Sequence, residues 1–126
     1  MMKVLDTTKN FLAIDEKFSA LDSSQIAIVS APYEHTVSYG GGTNHAPKEI
    51  LKASAYVEFY DDEFDRELCF DVGIATLKPI KFHKKHGIEA LDMIYGDVKE
   101  MLARGKFVVT LGGEHTISTA PIKAHY

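Results

Sequence analysis

Apolar positions in this chain fall into short runs separated by long polar stretches. Residues 26–29, "IAIV", follow the polar turn "DSSQ". A short unbroken apolar run of this kind suits a strand covered on both faces of a parallel sheet. "LCFDVGIA" (68–75) predicts a second strand and "KFVVTL" (106–111) a third. Residues 32–46, "PYEHTVSYGGGTNHA", read as a long glycine-rich loop. Pro47 then suits the first turn of a helix, where a missing N–H costs nothing, and Ile50, Ser54, Val57 and Tyr60 continue it at helical spacing. "LKPIKFHKKHG" (77–87) reads as a loop. The clearest helix covers 87–104: Ile88, Leu91, Tyr95, Val98 and Leu102 recur in steps of three and four, which makes one apolar stripe for the core. Arg104 complements the helix C-terminal dipole and Gly105 stops the helix. "STAPIKAHY" (118–126) begins another helix.

Strands alternating with helices give βαβ units, hence an α/β fold with a parallel sheet. No internal repeat, low-complexity segment or linker interrupts the chain, so residues 1–126 are expected to form a single domain. In open sheets of this type ligands bind beyond the carboxyl ends of the strands. Two loops leave strand ends here, the glycine-rich loop after Val29 and "GGEHTIS" after Leu111. They are the least regular polar stretches of the sequence and the expected place for chemistry.

Composition narrows the classes. The length of 126 residues suffices for one modest core. A net charge of -4 and the lack of a basic stripe argue against binding nucleic acid through its phosphates. No run approaches the roughly 20 apolar residues of a membrane span, and "MMKVLDTTKN" lacks the apolar centre of a signal peptide. The expected compartment is the cytoplasm. Cys69 is the single cysteine, so no internal disulfide can form. Its apolar setting predicts a packed small hydrophobe.

His115 is the first chemical candidate. A neutral imidazole ligates zinc, manganese, nickel or copper, and Gly112 with Gly113 would let the backbone turn and present it. The competing reading is a histidine that hydrogen-bonds within its loop. One histidine makes no metal site by itself. Glu114 and His115 are adjacent and would point to opposite sides of an extended chain. "YGGGTNHAP" invites phosphate, yet it is neither Gly-x-Gly-x-x-Gly nor a Walker loop. His83 and His86 in "HKKH" read as part of a solvated loop, and Ser118 has neither an elbow nor a base.

Two stretches resemble the ureohydrolases, the family of agmatinase, arginase, guanidinobutyrase and formimidoylglutamase. "SAPYEHTVSYGGGTNHAPKEILKAS" is similar to the first-strand loop and helix of agmatinase-like members, at Pro32, Thr36, Ser38, Gly42, Thr43, Pro47, Ile50, Ala53 and Ser54. "VVTLGGEHTIS" resembles the first metal motif, Leu-Gly-Gly-Asp-His-Ser, and "FDVGIA" loosely fits an Asp-x-Gly-Asp segment at Asp71 and Gly73. The resemblance implies a three-layer α/β/α sandwich with a mostly parallel sheet. It implies a site for two Mn2+ ions, with His115 ligating one of them. It places Asn44 and His45 where the family loop approaches a guanidino small-molecule substrate, by default agmatine, cleaved to putrescine and urea.

The sequence departs from that pattern. Glu114 and Thr116 replace an aspartate and a serine, the arginine after Gly-Thr is missing, and Ala46 replaces a glycine. The later motifs, Asp-x-His-x-Asp and Ser-x-Asp-x-Asp, do not occur. The expectation is therefore the N-terminal portion of an agmatinase-like ureohydrolase, without catalytic residues of its own and inactive alone. The alternatives are a non-catalytic binding or regulatory module that keeps the half-fold, and a small α/β protein of another class. A partial sheet exposes a strand edge and apolar helix faces, which predicts a homo-oligomer.

Overall fold

The computed structural model describes residues 2–126; Met1, the first residue of the expected 1–126 unit, lies outside them. Three parallel strands form the sheet: β1 (Ile26–Ala31), β2 (Ile74–Thr76) and β3 (Phe107–Gly112), in the order β2-β1-β3. Ile26 pairs with Ile74 on one side and with Phe107 on the other. β1 is central and its Ala27–Ala31 stretch is buried throughout, which is why its sequence is apolar without alternation. The N-terminal segment adds an antiparallel bridge, Val4 to Leu77, beyond the end of β2.

Strand residues alternate between two cores. Ala27, Val29 and Ala31 face one layer with Ala90, Ile94, Val98 and Met101 of α3 (Gly87–Ala103) and Ala120 and Ala124 of α4 (Thr119–His125). Ile28 and Ile74 face the other with Leu12, Ile14 and Cys69. That second layer holds two short 3-10 turns (Phe11–Ala13, Glu16–Phe18), α1 (Ala46–Ser54) and α2 (Leu68–Val72). The arrangement is the expected three-layer α/β sandwich. Cys69 is 6% exposed in this core, and burial raises its thiol pKa, as a packed hydrophobe requires.

Three local expectations are corrected. "LCFDVGIA" is not one strand: it forms α2, turns at Gly73 with φ +69, and only then enters β2. The run is apolar at both periods because helix and strand pack into the same core. α1 ends at Ser54, so Val57 and Tyr60 lie beyond it and are exposed. The Ser54 hydroxyl donates to the Leu51 carbonyl at 2.6 Å and accepts the Leu12 N–H at 2.8 Å. The next N–H groups reach back only three residues, to Lys52, Ala53 and Ser54, which tightens and ends the helix. In α3 the expected stripe is rotated. Val98 is buried as expected, but Ile88 is 78% exposed, and Ala90, Ile94 and Met101 join Val98 against the sheet. Leu91, Tyr95 and Leu102 are half-buried at the flank of this core.

Candidate functional site

β1 and β3 are adjacent and parallel, so the loops leaving their carboxyl ends meet. Gly113 makes the meeting possible. Its φ is +49, and a Cβ there would lie 2.5 Å from the Tyr33 carbonyl oxygen and 2.7 Å from that of Ala31. Only glycine lets the two backbones approach so closely. The Glu114 N–H then donates to the Tyr33 carbonyl at 2.9 Å.

Glu114 locks the two loops together. One carboxylate oxygen accepts the His35 and Thr36 N–H groups, each at 2.7 Å, and the other accepts the Thr36 hydroxyl at 2.6 Å. Burial alone would raise its pKa. The hydrogen bonds from the Thr36 hydroxyl, the two N–H groups and the Thr116 hydroxyl outweigh burial and hold the pKa at about 2. Glu34 performs a similar service within the glycine-rich loop, accepting the Gly42 N–H at 2.8 Å. Gly42 itself has φ +109 and precedes the 3-10 turn Thr43–His45.

The two loops enclose a cavity of about 320 Å³ whose wall includes Thr36, Ser38, Thr43, Thr116 and His115. Thr43 Oγ1 is buried there without a hydrogen-bond partner among the described residues. His115 opens the 3-10 turn His115–Ser118 and is exposed, whereas Glu114 is 6% exposed. Both line the cavity, Glu114 from its buried floor and His115 from its exposed rim. Asn44 and His45 sit in the same turn as Thr43, outside the lining of the cavity; the Asn44 N–H reaches Glu34 at 3.4 Å.

Over the matched stretch 24–126, the sequence fits the family model described as the arginase family. The chain belongs to the arginase family. It is 38% identical over 120 residues to N(1)-aminopropylagmatine ureohydrolase of Synechocystis, covering 92% of this chain and 39% of the relative. It is 36% identical over 109 residues to agmatinase of Bacillus anthracis, covering 83% and 36%. The chain thus spans about two fifths of the length of these curated relatives. Agmatine ureohydrolase of Thermoplasma volcanium superposes with a TM-score of 0.78 at 24% identity, over 92% of this chain and 38% of that one. Formiminoglutamase of Trypanosoma cruzi, solved with Mn2+, superposes at 0.74 and 20% identity, over 91% and 40%. At these identities the two structures establish the arginase-family fold.

The donors on this chain do not by themselves fit a two-metal centre. Among the described residues no three histidine, cysteine or carboxylate side chains converge. His115 supplies one imidazole, while both Glu114 oxygens are occupied by the partner loop. Sequence reasoning singled out His115, which the structure places on the cavity wall, but missed Glu114 as the lock, Glu34 as the brace of the glycine loop, and Thr43 as a buried hydroxyl without a partner. A Glu beside a His in a strand-end loop signals nothing until its partners, 78 and 79 residues away, are known. His86 is exposed, as expected, yet its ring stacks on that of His35 at 3.8 Å.

Proposed function

We propose that this chain is the N-terminal portion of an agmatinase-like ureohydrolase, forming one structural unit of it, and that it supplies one ligand of a shared two-manganese site. The observation that carries the reading is the position of His115. It is exposed at the carboxyl end of a parallel strand, in a cavity walled by hydroxyls, on a loop locked by its buried neighbour. His115 would hold one Mn2+ through its imidazole. When bound in such an enzyme, the two ions supply hydroxide at neutral pH for attack on a guanidino carbon.

The roles of this chain are then positional. Gly113 and Glu114 hold the His115 loop against the first loop. The turn Thr43–His45, with Asn44 and His45 just outside the cavity wall, borders the guanidino substrate from the glycine-rich side. The names of the relatives support a substrate carrying both a guanidino group and an amine, agmatine or an aminopropyl derivative of it. The reaction breaks the bond between the guanidino carbon and the substituted nitrogen; from agmatine it releases urea and putrescine. No helix among the described residues is long and apolar enough to cross a membrane.

The test is urea release from agmatine with added manganese, measured for these 126 residues and for the longest reading frame that extends them. The longer chain is expected to be active, the 126 residues inactive, and His115→Ala in the longer chain to lose manganese and activity together. If the longer chain folds, keeps its manganese without His115 and works undiminished, the ligand assignment fails. If no longer frame exists and the chain is inactive, the reading as a binding module replaces it.

A further inference from the structure

A groove of about 450 Å³ lies apart from the His115 cavity and shares no lining residue with it. Leu5, Leu51 and Ala55 form part of its wall, and Lys9, Lys48 and Lys52 line it as well. No carboxylate does. Hydrogen bonds fix the groove from three directions. The Leu5 N–H donates to the Thr76 carbonyl at 2.8 Å and holds the N-terminal segment against the end of β2. The Leu12 N–H donates to the Ser54 hydroxyl at 2.8 Å and ties the same segment to α1. Asn10 is 1% exposed, and its side-chain amide is spent on the Ile14 N–H at 3.0 Å and the Ile14 carbonyl at 2.9 Å. The walls are therefore set before a ligand arrives, which removes much of the ordering cost of binding.

The charges around the groove define what it can hold. Lys52 is bridged to Glu49 at 3.1 Å. Asp6 stands close enough to Lys9 and Lys78 for their charges to act on it. Lys48 makes no ion pair among the described residues. One uncompensated ammonium suits a monoanion better than a polyphosphate. The aliphatic wall suits a hydrocarbon body. The two features are ordered along α1. Lys48 stands in its first turn, and Ala55 caps its end. Seven residues separate them, a rise of roughly 10 Å. The positive end of the helix dipole lies on the Lys48 side and the negative end on the Ala55 side. An anionic head is favoured at the first and repelled at the second, whereas a hydrocarbon tail is indifferent to either.

We propose that this groove is a binding site for a small aliphatic monocarboxylate, its head on the Lys48 ammonium and its tail along Leu51 to Ala55. The site is separate from the ureohydrolase reading and stands without it.

The experiment is an NMR titration of the whole isotopically labelled chain with octanoate, whose extended chain matches the run from Lys48 to Ala55. Octylammonium has the same tail and the opposite charge; acetate has the same head and no tail. Octanoate is expected to saturate, with amide shifts confined to residues 5–10 and 48–56, and both controls to bind far more weakly. Each methylene added between butanoate and octanoate should tighten binding by up to about fourfold. Lys48→Glu should weaken octanoate by about tenfold or more. Ala55→Phe, which fills the apolar end, should weaken octanoate as well. If Lys48→Glu folds poorly, Ala55→Phe and the ligand series on the unaltered chain still decide. Octylammonium binding as tightly as octanoate overturns the proposal, because the groove would then be only an apolar surface. So do shifts that fall elsewhere or never saturate, and so does full octanoate affinity in both variants.

Discussion

The Glu114 carboxylate takes two hydrogen bonds from Thr36, its N–H at 2.7 Å and its hydroxyl at 2.6 Å, across 78 residues of sequence. This one side chain joins the loop after β1 to the loop after β3 and shapes the floor on which His115 stands. The carboxylate must be ionised to accept all of these donors.

Glu114→Gln tests that dependence. The pKa of about 2 in the folded chain lies below the ordinary 4.5, so the stabilisation is fully present above pH 4.5 and is lost as pH falls toward 2. The difference corresponds to on the order of 3 kcal/mol at neutral pH. Thermal melts should place the variant well below the wild type at neutral pH, with the gap closing near pH 2. A gap that stays constant across that range would show that the charge does not matter.

Gly113→Ala should be among the costliest single changes. The added Cβ meets main-chain atoms of Ala31 and Tyr33, which cannot rotate away, and it adopts a positive φ as well. The expected loss is roughly 2–4 kcal/mol in urea-induced unfolding. Gly96→Ala is the control, since it sits in α3 with nothing near its missing Cβ. There the substitution should stabilise by about 0.5–1 kcal/mol. Equal effects at the two positions would sink the steric account.

Asp97 on α3 is half-buried, and its pKa is pushed up to about 6, chiefly by burial and then by Glu100. A folded pKa above the ordinary 3.8 means a contribution that is fully present below 3.8 and lost as pH rises through 6. Above that, the fold carries an ionised carboxylate in a poorly hydrated place. Asp97→Asn should therefore raise the melting temperature at neutral pH by on the order of 1–2 kcal/mol of stability, discounted for partial exposure, and change nothing below pH 3.8. An unchanged midpoint at neutral pH would refute this.

Lys106 anchors the start of β3. Its ammonium donates to the Leu21 and Ser24 carbonyls, both at 2.6 Å. Lys106→Met keeps the stem and leaves two carbonyls short of a donor, a loss of about 1–3 kcal/mol. Hydrogen exchange should report faster opening around residues 21–25 than elsewhere. Uniform acceleration across the chain would instead indicate a global effect.

How far the sequence could be read depended on the range of the interaction involved. β1, β3 and α3 were legible because each is announced within its own few residues, by an unbroken apolar run or a helical period closed by Gly105. "LCFDVGIA" was misread because an apolar run buried on all sides carries no period to separate helix from strand. The choice of Ile94 over Ile88 as a core residue was hidden for a related reason. α3 has apolar positions on two adjacent faces, and only the sheet decides which face turns inward.

The sequence by itself determined the alternation of strand and helix, the parallel sheet, and the two loops that leave the strand ends. It also contained the motif around His115, because glycine, histidine and hydroxyl residues at short spacing carry their meaning locally. Tertiary structure alone decided that Glu114 would lock the two loops together, that the Thr43 hydroxyl would be buried without a partner while Asn44 and His45 stand outside the cavity wall, and that lysines 9, 48 and 52 would gather around one groove. These are contacts between residues far apart in sequence. They follow from how parallel strands stack their ends side by side, and no local pattern records that register.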